Sequence, residues 1–171
     1  MSSQEMTRIS EIMNTPVESI KLHSSVQDIA LKMKEKRVSS VLVIDDETDT
    51  PLGIITERDL SIKACILDKS SKEIPSKQIM SSPLFTINED SSPMDAADLM
   101  LKNKVRHVLV VSNESGNEKN NENEKTSKPV GIITPMDLTR FQFESAPKQK
   151  DENDKIKILL DHYKHEFDFF P

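Results

Sequence analysis

Gly131-Ile132-Ile133-Thr134-Pro135-Met136-Asp137 lies 78 positions after a near-copy, Gly53-Ile54-Ile55-Thr56-Glu57-Arg58-Asp59. The chain has only three glycines in 171 residues, and two of them head these stretches. In each, an apolar pair runs into Thr-x-x-Asp, which reads as the end of a buried strand meeting a capped helix start. An internal repeat follows from the pair.

Upstream the repeat continues. Ile12-Met13-Asn14-Thr15-Pro16 matches Ile79-Met80-Ser81-Ser82-Pro83. Ser25-Val26-Gln27-Asp28 matches Ser92-Pro93-Met94-Asp95, each a capping box, the second with proline at the first helical position. Val38 to Ile44 matches Val105 to Val111, a β-branched apolar run in each copy. Met13 and Met80, Asp28 and Asp95, and Val38 and Val105 all lie 67 apart. The offset then rises to 78, so the second copy carries an insertion of 11 residues.

The spacing predicts a short strand over 18–21 and a helix from Ser25 to Arg37 carrying Val26, Ile29, Ala30 and Met33 on one stripe. Strands over 38–44 and 52–56 and a helix over 57–67 complete the copy. The insertion, 113–128, is dominated by Asn, Glu and Lys. It lacks the apolar surface that offsets the entropy of ordering, and reads as a flexible hairpin loop. A polar linker follows from Ser145. Ile156, Leu159, Leu160, Tyr163 and Phe167 then form an apolar helical stripe, expected to dock on the domain or on a second subunit.

Composition sets outer limits. The chain is 35% hydrophobic and 30% charged, with no Trp and a net charge of -6. That balance disfavours a nucleic-acid surface, which rests on clustered Lys and Arg. Cys65 stands alone, which fits a reducing, cytoplasmic setting, and it reads as a buried small hydrophobe. No apolar run approaches the roughly 20 residues of a spanning helix. His162 and His165 lack the further ligands of a tetrahedral metal site, so no metal is expected.

Each copy reads turn, strand, helix, strand, strand, helix. With the Met-x-x-Pro lead-in, the capped helix with Ala30 or Ala97, the apolar strand and Gly-Ile-Ile-Thr-x-x-Asp, the chain resembles a tandem pair of CBS (cystathionine-β-synthase) motifs. This is the Bateman module, in its stand-alone archaeal or bacterial form. The resemblance implies an α/β (α+β) fold of two β-α-β-β-α repeats packed with pseudo-two-fold symmetry, plus a C-terminal helix. The organisation expected is a polar segment over 1–9, repeats over 10–68 and 76–143 joined by 69–75, and a linker with an amphipathic helix over 144–171.

Thr56 with Asp59 and Thr134 with Asp137 support two readings. By spacing they are capping boxes. A helix N-terminus also presents free N–H groups and a positive dipole end to a phosphate, while a carboxylate accepts bonds from vicinal ribose hydroxyls. The resemblance favours the second reading, since the matching Thr and Asp commonly hold an adenosine ligand. Gly53 and Gly131 let a ligand or a neighbouring backbone approach closely. Arg58, Arg106 and His107 are candidates to neutralise a phosphate. The copies differ, so one better and one poorer site is the working expectation.

The expected function is a non-catalytic regulatory module that senses AMP, ADP, ATP or S-adenosylmethionine in clefts between the repeats. It would require no cofactor, form a homodimer and signal to an unidentified regulated protein, without nucleic acid or membrane. The competing expectation is a ligand-free structural module for dimerisation or protein interaction.

Overall fold

The computed structural model describes residues 7–113 and 127–145. These fall into two compact units. One is residues 16–85. In the other, residues 7–15 join those from 86 onward.

The 16–85 unit opens with β1 (Ser19–Lys21), α1 (Val26–Lys36), β2 (Ser40–Ile44) and β3 (Pro51–Thr56). Next comes α2 (Glu57–Asp59), which runs directly into a π-helical stretch, Leu60–Ala64, and then the short α3 (Ser76–Ile79). The sheet order is β1-β2-β3, with β1 parallel and β3 antiparallel to β2. The second unit has a 3-10 turn at Ile9–Glu11, then β4 (Thr86–Asn88), α4 (Pro93–Asn103), β5 (Val108–Asn113), β6 (Ser127–Ile133) and α5 (Pro135–Ser145). Its sheet repeats the pattern as β4-β5-β6. Both units thus run β-α-β-β-α, and the fold is α+β.

The cores follow the sequence periods. Val26, Ile29 and Met33 of α1 pack on Val41, Val43 and Ile55 of the sheet, with Ile74 and Ile79 closing the cluster. The second core sets Ala96 and Met100 against Val108, Val110 and Ile133, capped by Ile9. Burying each such side chain contributes about 1.5–3 kcal/mol before entropy is counted. Ala30, expected on the buried stripe, is exposed at its rim. Arg37 and Lys104 end α1 and α4 in the left-handed region, both at φ 54.

Further expectations change. The strand expected over 38–44 starts at Ser40, because Arg37 turns the chain at the helix end. The helix expected over 57–67 is not regular, since its middle is π-helical. Cys65 is exposed, because its neighbours Ala64 and Leu67 take the core-facing positions of that stretch. The ends of the 113–128 insertion are strand, with Ser112 opposite Lys128 and Asn113 opposite Ser127. The rest of that insertion, and the apolar stripe from Ile156, lie outside the described residues.

The lead-in segments explain the offset between sequence repeats and compact units. Asn14 pairs with Ile132 through two backbone hydrogen bonds, at 2.8 and 3.0 Å. Ser81 pairs with Ile54 in the same way, at 2.8 and 3.0 Å. The lead-in of each copy therefore extends the glycine-led strand of the other copy.

Candidate functional site

The repeated stretch builds the same device twice. Val43 faces Gly53 across the β2–β3 pair, and Val110 faces Gly131 across β5–β6. Neither glycine has a positive φ. Their value is space. A Cβ at Gly53 would sit 2.9 Å from Met80 Sδ and 2.9 Å from the Ser81 carbonyl. A Cβ at Gly131 would collide with Met13 Sδ and lie 2.7 Å from Met13 Cγ. The close approach expected at these glycines is filled in this structure by the methionine and backbone of a lead-in segment.

Past each glycine the strand ends at a threonine that caps a helix. The four Ser/Thr–Asp pairs share one chemistry. Ser25 and Ser92 donate to Asp28 and Asp95 at 2.6 and 2.7 Å, and those carboxylates stay exposed. Asp59 and Asp137 are instead 7% and 3% exposed. A buried carboxylate needs more donors than its own cap. The fold supplies them.

Asp59 is fully engaged. Its Oδ2 accepts from the Thr56 N–H at 2.8 Å and the Thr56 hydroxyl at 2.7 Å. Its Oδ1 accepts from the Ser81 hydroxyl at 3.1 Å and pairs with the Lys63 ammonium at 2.8 Å. Lys63 also donates to Ser81 Oγ at 2.9 Å and to the Ile79 carbonyl at 3.1 Å. Burial pushes the Asp59 carboxyl up, but the bonds from Lys63 and Thr56 outweigh it and hold it below the ordinary carboxylate value.

Asp137 is held differently. Its Oδ2 accepts from the Thr134 N–H at 2.8 Å, the Thr134 hydroxyl at 2.6 Å and the Asn14 side-chain amide at 2.7 Å. Its Oδ1 forms a long ion pair with the Arg140 guanidinium, at 3.8 Å and beyond hydrogen-bonding distance.

Gly53, Thr56, Arg58 and Asp59 thus lie together in the 16–85 unit, and Gly131, Thr134, Asp137, Arg106 and His107 in the other. Arg58 is exposed in the first turn of α2; Arg106 and His107 are half-buried just before β5. A cavity of about 570 Å³ opens beside the α2 start, floored by Met33, Val38 and Leu60 with Lys34, Arg37 and Glu57 on its walls. That volume suits a small ligand. No cluster of three or more potential metal ligands occurs among the described residues. No described helix is long and apolar enough to cross a membrane.

Sequence reasoning missed Asn14, Ser81 and Lys63 as carboxylate partners. Asn14 and Ser81 share a repeat position directly after the methionine, which marks them as equivalent without naming their target. Lys63 stands four residues after Asp59, the spacing of a helical ion pair.

Two β-α-β-β-α units, each ending in a glycine-led strand and a threonine-capped helix over a buried aspartate, define a tandem-repeat α+β module. The CBS domain model matches residues 9–63 and 76–144. The chain belongs to the CBS domain family, as a tandem pair, and such pairs are a regulatory module. An uncharacterised protein of Methanopyrus kandleri is 32% identical over 83% of this chain, a match spanning 63% of that protein. An uncharacterised 17.7 kDa protein of Acidianus ambivalens is 31% identical over 78% of this chain and 72% of its own length. Among solved structures, a conserved CBS domain protein of Thermoplasma acidophilum superposes with a TM-score of 0.66 at 23% identity, covering 92% of this chain and 77% of that one. CBSX2 in complex with AMP superposes at 0.57 and 23% identity, covering 80% and 96%.

Proposed function

We propose that this protein is a non-catalytic regulatory module that senses an adenosine-containing ligand, AMP, ADP, ATP or S-adenosylmethionine, and signals to a partner protein. The observation that carries this reading is the pair of buried carboxylates, Asp59 and Asp137, each behind a threonine at a helix start. The Thr hydroxyl and the free N–H groups of the helix start suit a phosphate, and the carboxylate suits a ribose diol. Arg58, Arg106 and His107 are the residues we assign to the phosphates. A fold neighbour in complex with AMP supports the ligand class. The module acts as a cytoplasmic homodimer, and ligand changes its output only through a difference in affinity between two conformations.

Titration calorimetry with the four ligands tests the reading. The unaltered chain gives saturable heat with at least one of them. The double variant Asp59→Ala/Asp137→Ala gives none, because hydrogen bonds to a charged group are each worth about 1.5–3 kcal/mol.

A second reading has an observation of its own. Both Thr–Asp pairs already bond to each other as caps, and Asp59 has no acceptor to spare. A ligand-free interaction module would show no heat with any of the four ligands and would still bind its partner in the double variant.

A further inference from the structure

The two carboxylates differ in one respect that bears on ligand access. A carboxylate offers about four acceptor positions. At Asp59 all are taken, two by Thr56, one by Ser81 and one by Lys63. At Asp137 three donors share Oδ2, and Oδ1 faces the Arg140 guanidinium in a long ion pair of 3.8 Å. A ribose diol reaching Asp137 Oδ1 competes with that long ion pair. One reaching Asp59 must first displace an ammonium or a hydroxyl.

The Lys63 contact is set by local structure. The π-helical stretch Leu60–Ala64 interrupts the regular helix where Lys63 sits. From there its ammonium meets Asp59 Oδ1, Ser81 Oγ and the Ile79 carbonyl. In the second copy the cation beside the carboxylate is Arg140, three residues after Asp137, which stands 3.8 Å from its Oδ1, beyond hydrogen-bonding distance. Applying the 78-residue offset, the counterpart of Lys63 is Phe141, in the uninterrupted helix α5.

We infer that Lys63 is a built-in latch that closes the Asp59 site to ribose-bearing ligands, so that the Asp137 site fills first. Lys63 is a positioning residue. It acts through the Asp59 carboxylate, which it holds ionised and turned into its own cap. The two sites are therefore graded by one side chain: the first copy opens only when its lysine is drawn away. The inference rests on the adenosine reading above and specifies the order in which its sites are used.

The test is calorimetry of the full chain with AMP, ADP, ATP and S-adenosylmethionine. The unaltered chain takes up one ligand per chain in the accessible range, and Asp137→Asn weakens that event at least tenfold. Lys63→Met, which keeps the apolar stem and removes the ammonium, raises the affinity of the other site at least tenfold, so that two ligands bind. The added event disappears when Asp59→Asn is introduced on top of Lys63→Met. Lys63→Arg restores the charge and returns the count to one, which a merely structural lysine would not do. Ser81→Ala frees the same oxygen from its other donor and raises that site's affinity by less, giving a second route should Lys63→Met unfold. Two equal sites in the unaltered chain overturn the latch and leave the adenosine reading standing. So does a count of one in a folded Lys63→Met. No heat in any variant overturns both.

Discussion

At the scale of single residues, the glycines and the buried aspartates carry the argument. Alanine at Gly53 meets a backbone carbonyl at 2.9 Å as well as Met80, and that backbone is tied into a two-bond bridge. Alanine at Gly131 meets chiefly the flexible end of Met13, with the Asn14 carbonyl further off at 3.2 Å. Both substitutions overpack and should cost about 1–3 kcal/mol, with Gly53→Ala the more damaging. Urea unfolding of the two variants checks the order, and Met13→Ala should recover part of the Gly131→Ala loss only. Acid provides a second handle. A carboxyl held below its unfolded value adds stability at pH above about 3.9, and that stability is lost as pH falls through the folded value. Asp59 is such a group, as are Asp28, Asp45, Asp46 and Asp95. Urea midpoints should therefore fall between pH 5 and 3, and fall less steeply in Asp59→Asn. The Thr-x-x-Asp spacing made these aspartates legible as caps or ligands. Their burial was not legible, since Asp28 and Asp95 share the spacing and stay exposed.

At the scale of elements, matching positions of the repeat behave alike except where a long-range partner intervenes. Arg37 and Lys104, 67 apart, both close their helices at φ 54. A left-handed position strains any residue with a Cβ, and glycine relieves that at some entropic cost. Lys104→Gly should raise stability by roughly 0.5 kcal/mol, read as a higher urea midpoint at unchanged slope. The helices after the two threonines diverge instead. Both start with a capped turn, yet the first becomes π-helical at Leu60–Ala64 and the second stays regular. Periodicity placed both helices and their cores, because packing a stripe needs only spacing. It missed the π stretch. Where that stretch falls, Lys63 binds groups from Ile79 and Ser81, a sequence distance no helical window spans.

At the scale of the whole molecule, each compact unit is completed by the lead-in segment of the other copy. Residues 7–15 belong with 86 onward, and the Met80–Ser81 segment with the unit of 16–85. Removing residues 1–15 should therefore damage the second unit: Met13 leaves Gly131 bare, and Asn14 leaves Asp137. Hydrogen exchange should speed up in β6 and α5 of the truncated chain while β2 and β3 hold their protection; uniform loss would refute the pairing. Light scattering should return twice the chain mass for the proposed homodimer, and the same measurement after truncation beyond Ala146 reports whether the apolar stripe from Ile156 takes part.

The repeat, the order of its strands and helices, the capped helix starts and the family resemblance all rest on patterns within windows of a few residues, and they can be read from the chain directly. Which aspartates are buried, and which groups hold them, depends on contacts such as Asn14 to Asp137, 123 residues apart, and Ser81 to Asp59, 22 apart. Capping and periodicity are local energies written in spacing. Long-range partners are selected by packing, and no spacing rule names them. The equivalence of the two Thr–Asp pairs is thus a property of the sequence. Their difference, one carboxylate saturated by Lys63 and Ser81 and the other held by Asn14 and a long ion pair with Arg140, comes into being only when the chain folds.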